Sequence, residues 1–166
     1  MKLRSLLGLA LIVALLSAFG CGGGGDGAAP VVTAVVKVST TGTVVPVGGA
    51  LALLNYSSSK YSLPANNPQP DGTNPKVVAS GSLGLATGSI VAGTLLSPGH
   101  VNLALVNSPN GAAGGEFATV TFTLLPGKTP VPAADFVIAP VPAPVVTDPA
   151  GVTIAGTVVV SSATIQ

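Results

Sequence analysis

The sequence predicts an all-β protein, an antiparallel β-sandwich, on three observations. Among its 166 residues are 22 Gly and 15 Pro, which interrupt nearly every stretch of a dozen residues, and both are costly inside helices. Short runs rich in Val, Ile, Thr and Leu alternate apolar and polar residues with the period of two that is typical of strands. Turn-forming sequences separate these runs, and seven or more short strands in about 135 residues indicate a sandwich with one core.

Two runs show the alternation most clearly. In the predicted strand Val32–Val38 every even position is apolar, while Thr33 and Lys37 point to the other side. In Ala118–Leu124 four apolar side chains alternate with three threonines, Thr119, Thr121 and Thr123. The other predicted strands are Ala50–Tyr56, Lys76–Gly81, Val101–Asn107, Asp135–Val141 and Val152–Val160.

Three segments are less regular. Ser82–Ala92 contains two glycines, which permit a bent strand or a single helical turn. Asn66–Pro75 has three prolines and no apolar side chain, so we expect an exposed loop. Pro130–Pro149 holds six prolines around Phe136 to Ile138. Because proline is tolerated on edge strands, this region predicts an edge strand with an irregular continuation.

The first twenty residues have the pattern of an export signal. Lys2 and Arg4 precede an apolar stretch from Leu6 to Phe19, which is too short to cross a hydrocarbon core of about 30 Å but fits a secretory signal. Small residues then lead to Cys21, the sole cysteine, and this arrangement resembles the lipobox of bacterial lipoproteins. We therefore expect residues 1–20 to be a lipoprotein signal peptide and Cys21 to carry the lipid.

The residues after the cysteine predict a tether and a location. Gly22–Gly25 begin a glycine-rich segment, residues 21–30, that we interpret as a flexible link to a domain spanning residues 31–166. A lipid on Cys21 predicts a membrane-anchored protein of the cell envelope, in the outer membrane or at the cell surface. With one cysteine, a disulfide framework and a cysteine-rich zinc site are excluded.

Charge and chemistry argue against several functions. Charged residues make up 7% of the chain, the formal net charge is +1, and there is one histidine. So small a positive charge is too weak for a nucleic-acid interface, which needs a clustered basic face. His100 follows a turn, and the chain has no Gly-x-Ser-x-Gly motif for a nucleophilic serine. We therefore predict no catalytic residue and no enzymatic activity.

Metal ions and cofactors are not expected either. The carboxylates of Asp71, Glu116, Asp135 and Asp148 are scattered singly through the sequence. Calcium sites usually draw several oxygen ligands from one loop, so turn-forming roles explain these residues more simply. We predict no metal site and no cofactor.

Several segments in order resemble a known family, namely Gly48–Tyr56, Val77–Leu83, Val101–Ser108, Gly115–Phe122 and Ala134–Ile138. Their succession resembles a cohesin-type domain, related in fold to family-3 carbohydrate-binding modules, over about residues 31 to 160. The resemblance implies a jelly-roll sandwich of about nine strands that recognises another protein. Known cohesins hold dockerin modules, but this chain has no dockerin-like calcium loop, and no binding residues are transferred from the family.

The candidate binding residues are three threonines and two tyrosines. Thr119, Thr121 and Thr123 form an uncharged strand face on which a partner protein could dock. Tyr56 and Tyr61 could stack on a polysaccharide, although capping the edge of the core is the simpler role for them. Protein recognition is our first interpretation and carbohydrate binding the second. A third is a structural surface subunit that assembles through the uncharged strand Val158–Val160 and Ile165.

Overall fold

The structure is a computed structural model that describes residues 30–67, 72–107 and 109–166. The predicted signal peptide, the lipid site Cys21, the tether up to residue 29 and Asp71 therefore lie outside the described residues. Within the described ranges no helix is long and apolar enough to cross a membrane. Residues 31–166 form one compact unit that contains the whole described core.

The described residues of this unit form ten strands and two single helical turns. The strands are β1 (Thr33–Thr41), β2 (Gly49–Tyr56), β3 (Tyr61–Ser62), β4 (Val77–Ala79), β5 (Ser89–Ser97), β6 (His100–Asn107), β7 (Glu116–Leu124), β8 (Phe136–Ile138), β9 (Val145–Thr147) and β10 (Thr157–Ile165). The helical turns are α1 (Gly81–Gly84) and α2 (Pro132–Asp135).

The strands form two five-stranded antiparallel sheets, which confirms the predicted sandwich. Sheet I has the order β10-β1-β7-β3, and β4 pairs with β7 as well. Sheet II has the order β5-β6-β2-β8, and β9 pairs with β2 as well. Long-range pairing of this kind brings the apolar side of each sheet against the other, and those side chains form a single core.

The two best predicted strands behave as their alternation requires. In β1 Ala34, Val36 and Val38 are fully buried, while Lys37 is exposed. In β7 Val120 and Phe122 are fully buried as well. Burying one side of each strand removes its apolar surface from water, at a gain of about 25 cal/mol per Å².

A β-bulge in β7 departs from simple alternation. Ser39 of β1 lies opposite Glu116, but the next residue, Val38, lies opposite Ala118. Phe117 is thus the extra residue, and both Phe117 and Ala118 point into the core. The sequence pattern did not predict this burial of Phe117.

The segment Ser82–Ala92 contains both structures that its sequence allowed. Gly81 has a positive φ of 66° and begins α1, and β5 starts at Ser89. Gly84 packs so closely against the backbone carbonyl of Phe117 that no Cβ would fit there. Leu83 of the same turn is fully buried, so α1 is held against the bulged end of β7.

Strand boundaries in the C-terminal third differ from the prediction. A strand was predicted at Val152–Val160, but β10 begins later, at Thr157, and extends to Ile165. It starts directly after Gly156, whose φ is 144°. The strand predicted at Asp135–Val141 is shortened to β8, because prolines follow from Pro140 onward. Its predicted edge position is confirmed, since β8 pairs with β2 alone among the described strands. The short strands β3 and β9 were not predicted.

Candidate functional site

The outer face of sheet I is mainly polar, and among the described residues its one apolar side chain that is more than half exposed is Val78 of β4, opposite Thr119. This face carries the three predicted threonines in one column of β7, all partly exposed. Thr121 lies opposite Val35, and Thr119 lies opposite Lys37, whose ammonium is 3.1 Å from the carboxylate of Glu116. The Thr119 hydroxyl donates a hydrogen bond to Ser80 at 2.8 Å. The structure thus brings the threonines together as predicted, on a face of hydroxyl groups that includes an ion pair.

The outer face of sheet II is apolar. Leu51, Ile90 and Val106 are 48%, 67% and 53% exposed. The register makes them neighbours, because Val106 lies opposite Ile90, and Leu51 lies opposite Ala104 on one side and Val145 on the other. We define the apolar face as the outward-facing apolar side chains of sheet II, namely Leu51, Leu53, Ile90, Ala92, Leu96, Ala104, Val106, Val137 and Val145.

The apolar face also lacks ionisable acids and strong bases. The five strands of sheet II contain no Asp, Glu, Lys or Arg. A polar pair lies at one end of sheet II, where the Nδ1 atom of His100 is 2.8 Å from the Oδ1 atom of Asn55. At the other end a recess of about 620 Å³ separates Leu51 and Val106 from the loop at residues 148–151.

An exposed apolar surface of this kind usually marks a site of interaction, because monomers rarely leave large contiguous apolar patches in water. The sequence carried a signal for it that the prediction did not use. In Ala50–Leu54 the side chains on both faces of the strand are apolar, whereas β1 and β7 each have one mainly polar face. A strand with apolar side chains on both faces is typically covered on both sides.

The predicted sugar-stacking residues require a correction. Tyr56 is 8% exposed and Tyr61 1% exposed, so neither offers a free ring face. Both rings belong to an aromatic cluster with Phe122 and Phe136, in which three ring pairs have centroids 4.7 to 4.8 Å apart at tilted angles. Aromatic rings in such a cluster gain more from one another and from burial than from a place at the surface.

A buried carboxylate stands beside this cluster. Asp135 accepts hydrogen bonds from the Lys60 ammonium at 2.8 Å, from the Tyr61 hydroxyl at 3.1 Å and from the Val131 N–H at 2.7 Å. Burial alone would raise the pKa of Asp135, but the bonds from Lys60, Val131 and Tyr61 outweigh it and hold the pKa below its usual value. Burial, together with the neighbouring carboxylate, raises the pKa of Tyr61 to about 12.

The Asp135 carboxylate joins two distant parts of the chain. The carboxylate connects α2 to the turn before β3, and it accepts three hydrogen bonds through its two oxygens. Sequence reasoning treated Asp135 as one of several isolated carboxylates, because Lys60 lies 75 residues away along the chain.

The remaining titratable residues occupy separate places. His100 begins β6 and is exposed, as predicted for a residue after a turn. Asp148 accepts hydrogen bonds from the N–H groups of Ala150 and Val152, both at 2.9 Å, which is the predicted turn-forming role. In the described part of the chain no three His, Cys, Asp or Glu side chains are close enough together to hold a metal ion.

Comparison with solved structures gives cohesin modules and their complexes. A chain of the CaDoc0917–CaCohA2 complex is 18% identical, with a TM-score of 0.52 over 74% of this chain and 81% of that one. The sixth cohesin of scaffoldin B from Acetivibrio cellulolyticus, solved with a mutant Cel5 dockerin, is 16% identical, with a TM-score of 0.55 over 74% and 80%. Type II cohesin A11 from Bacteroides cellulosolvens is 13% identical, with a TM-score of 0.51 over 72% and 81%.

These likenesses concern the fold. The chain has the jelly-roll sandwich of a cohesin-type domain, which confirms the resemblance found in the sequence. No protein-family model matches the chain. A comparison with curated proteins gives no match either. Because a fold does not fix a ligand, the function has to be argued from the surface.

Proposed function

We propose that residues 31–166 form a noncatalytic protein-recognition module that binds a dockerin-like partner through the apolar face. The observation that carries the proposal is the contrast between the two outer faces of one sandwich. Sheet I presents mainly threonines, serines and an ion pair, with Val78 as a single exposed valine among its described residues, whereas sheet II presents Leu51, Ile90 and Val106 together on strands without a charged residue. Two of the similar structures come from complexes with dockerins, which supports this class of partner.

Burial of apolar area drives the association. Fully burying a Leu, Ile or Val side chain stabilises a complex by about 1.5 to 3 kcal/mol. Leu51, Ile90 and Val106 are half to two-thirds exposed, so a partner that covers them gains about half of that from each. His100 and Asn55, at the end of the face, supply hydrogen-bonding groups that orient the partner.

The test screens residues 31–166 against a panel of recombinant dockerin modules, the Cel5 dockerin among them, and measures binding by isothermal titration calorimetry. We expect Leu51→Lys and Ile90→Lys each to weaken binding about tenfold or more, because a lysine ammonium would lose its hydration at the interface. The matched control is Thr121→Lys, which adds the same charge to the outer face of sheet I and leaves binding unchanged.

Two results would contradict the proposal. One is the absence of binding to every dockerin module tried. The other is binding that survives Leu51→Lys and Ile90→Lys but is lost in Thr121→Lys, which would move the site to the threonine face predicted first.

We also propose that Cys21 anchors the module to a membrane of the cell envelope by its lipid. The support is the sequence of residues 1–21, a short basic and apolar signal that ends in a single cysteine. The module would then stand at the cell surface on a glycine-rich tether. Metabolic labelling with a fatty acid should mark the full chain and leave Cys21→Ser unlabelled, and labelling that persists in Cys21→Ser would refute the anchor.

A further inference from the structure

The edges of the two sheets are protected unequally. An open edge presents unpaired N–H and C=O groups, and proteins usually cover it, shorten it or place charges or prolines along it. At the β5 edge of sheet II the side-chain amide of Asn66 accepts from the Leu95 N–H at 2.7 Å and donates to the Leu95 carbonyl at 2.9 Å. The N–H of Asn74 donates to the carbonyl of Gly93 at 2.6 Å. A loop therefore covers this edge.

Two further edges are short. At the other side of sheet II, β8 and β9 have three residues each, and Pro140, Pro142 and Pro144 separate them. At the far side of sheet I, β3 has two residues and β4 has three. None of these three edges offers a long ladder to another chain.

The β10 edge differs from all of them. It is nine residues long, Thr157–Ile165, and contains neither a proline nor a charged residue. Within the described strands it pairs with β1 alone. One bulge interrupts it, because Lys37 lies opposite Ser162 and Val38 opposite Val160, so Ser161 is the extra residue. The bulge leaves a run of four residues on either side.

A groove of about 570 Å³ runs beside this edge, between β10 and the segment formed by α2 and β8. Apolar groups line much of it, among them Phe136, Ile138, Val158, Val160 and Ala163. Here the edges of the two sheets face each other, and none of the other described strands lies between them. A strand added to β10 would cover the groove as well as the free backbone groups.

We propose that a second copy of this chain occupies this edge, with the two β10 strands pairing antiparallel about a two-fold axis. A two-fold contact uses the same surface of both copies, so one open edge is sufficient for a closed dimer. In such a pair each residue lies opposite a symmetry-related residue of the same strand, and charges of one sign would repel. β10 carries no charge along its whole length.

The dimer would have a continuous sheet made of both copies of sheet I. Side chains on the inner side of β10, such as Val158 and Val160, would lie over the groove of the partner. Val137 is the one member of the apolar face that lines this groove. Leu51, Ile90 and Val106 lie on other strands and stay free in both copies, so this inference is independent of the proposed function.

The experiment is sedimentation equilibrium of residues 31–166 over a range of concentrations. We expect a concentration-dependent dimer. Val159→Lys, on the outer side of β10, should raise the dissociation constant of the dimer about tenfold or more, because lysine on an edge strand blocks pairing. Val159→Thr, which keeps a β-branched uncharged side chain, should leave the dimer intact. Thr164→Lys, at an exposed position, gives a second test if Val159→Lys does not fold.

Two control variants locate the contact. Thr121→Lys lies on the same sheet away from the edge and should not affect the dimer, and Leu51→Lys reports on the apolar face. The inference is overturned if the protein is monomeric up to about millimolar concentration, if the dimer survives both β10 lysines, or if Leu51→Lys dissociates it.

Discussion

Asp135 and Lys60 form an ion pair, 2.8 Å long, between segments 75 residues apart. Asp135 is 6% exposed at its side chain and Lys60 29%. The other ion pair in the described residues, Lys37 with Glu116, is more open, at 46% and 22%. Because a buried charge without its partner is costly, the two pairs should differ in their effect on stability.

Asp135→Ala should lower the free energy of unfolding by about 3 kcal/mol. The change leaves the Lys60 ammonium, the Tyr61 hydroxyl and the Val131 N–H without their shared acceptor. Chemical denaturation measures the loss. The control is Glu116→Gln, which should cost less than about 1 kcal/mol because its pair is exposed. Equal effects of the two changes would contradict this account of the buried pair.

The same carboxylate gives a pH dependence on the acid side. Its pKa is lowered in the folded state, so the folded protein binds this proton less tightly than the unfolded chain, whose value is about 3.9. The stabilisation is present above that pH and is lost as the pH falls through the lower, folded value. The difference in unfolding free energy between the wild type and Asp135→Asn should be constant above about pH 5 and shrink below about pH 4. A difference that does not change with pH would rule this out.

Tyr61 should give the opposite dependence on the alkaline side. Its pKa is raised to about 12 from 10.0, so the folded state holds the phenol proton more tightly. This contribution is complete below pH 10 and disappears towards pH 12, at a loss of about 2 to 3 kcal/mol. Tyrosinate absorbance in a Tyr56→Phe background should show the late titration of Tyr61. An ordinary titration near 10 in the folded protein would show that the hydroxyl is not buried.

The contact of α1 with β7 predicts a steric effect. A methyl group at position 84 would overlap the carbonyl of Phe117, so Gly84→Ala should destabilise the protein by several kcal/mol, about as much as overpacking a core. Gly127→Ala is the matched control, because nothing lies within 4 Å of the added Cβ and the cost is limited to its φ of 71°, about 1 to 2 kcal/mol. Thermal unfolding of the two variants compares them directly, and a smaller shift for Gly84→Ala would disprove the close packing.

Local periodicity accounts for most of what was predicted correctly. The alternation in Ala118–Leu124 placed Val120 and Phe122 in the core and the three threonines outside, as the structure has them. The prolines after Phe136 predicted the edge position of β8. Errors arose where a single residue changes the phase, as at the bulge of Phe117, or where a glycine delays a strand, as at Gly156.

The two predicted binding surfaces have different outcomes. The uncharged docking face on the threonines of β7, expected because cohesin-type modules bind partners on a sheet face, stays a prediction beside the apolar face that we propose from the exposed side chains of sheet II. The sequence also offered Tyr56 and Tyr61 as exposed rings, yet both pack against Phe122 in the core. Neither the apolar face nor this packing follows from local spacing, since each depends on which strands become neighbours.

The sequence by itself determined an antiparallel sandwich with few charges, its main strands and its turns, because these follow from the alternation of residues close together in the chain. Tertiary structure alone decided that Leu51, Ile90 and Val106 share one exposed face, that Asp135 meets Lys60, and that β10 is left at an open edge. The physical reason is that these three relationships join segments far apart in sequence. Strand pairing between distant segments, and the burial that accompanies it, brings them together only when the whole domain folds.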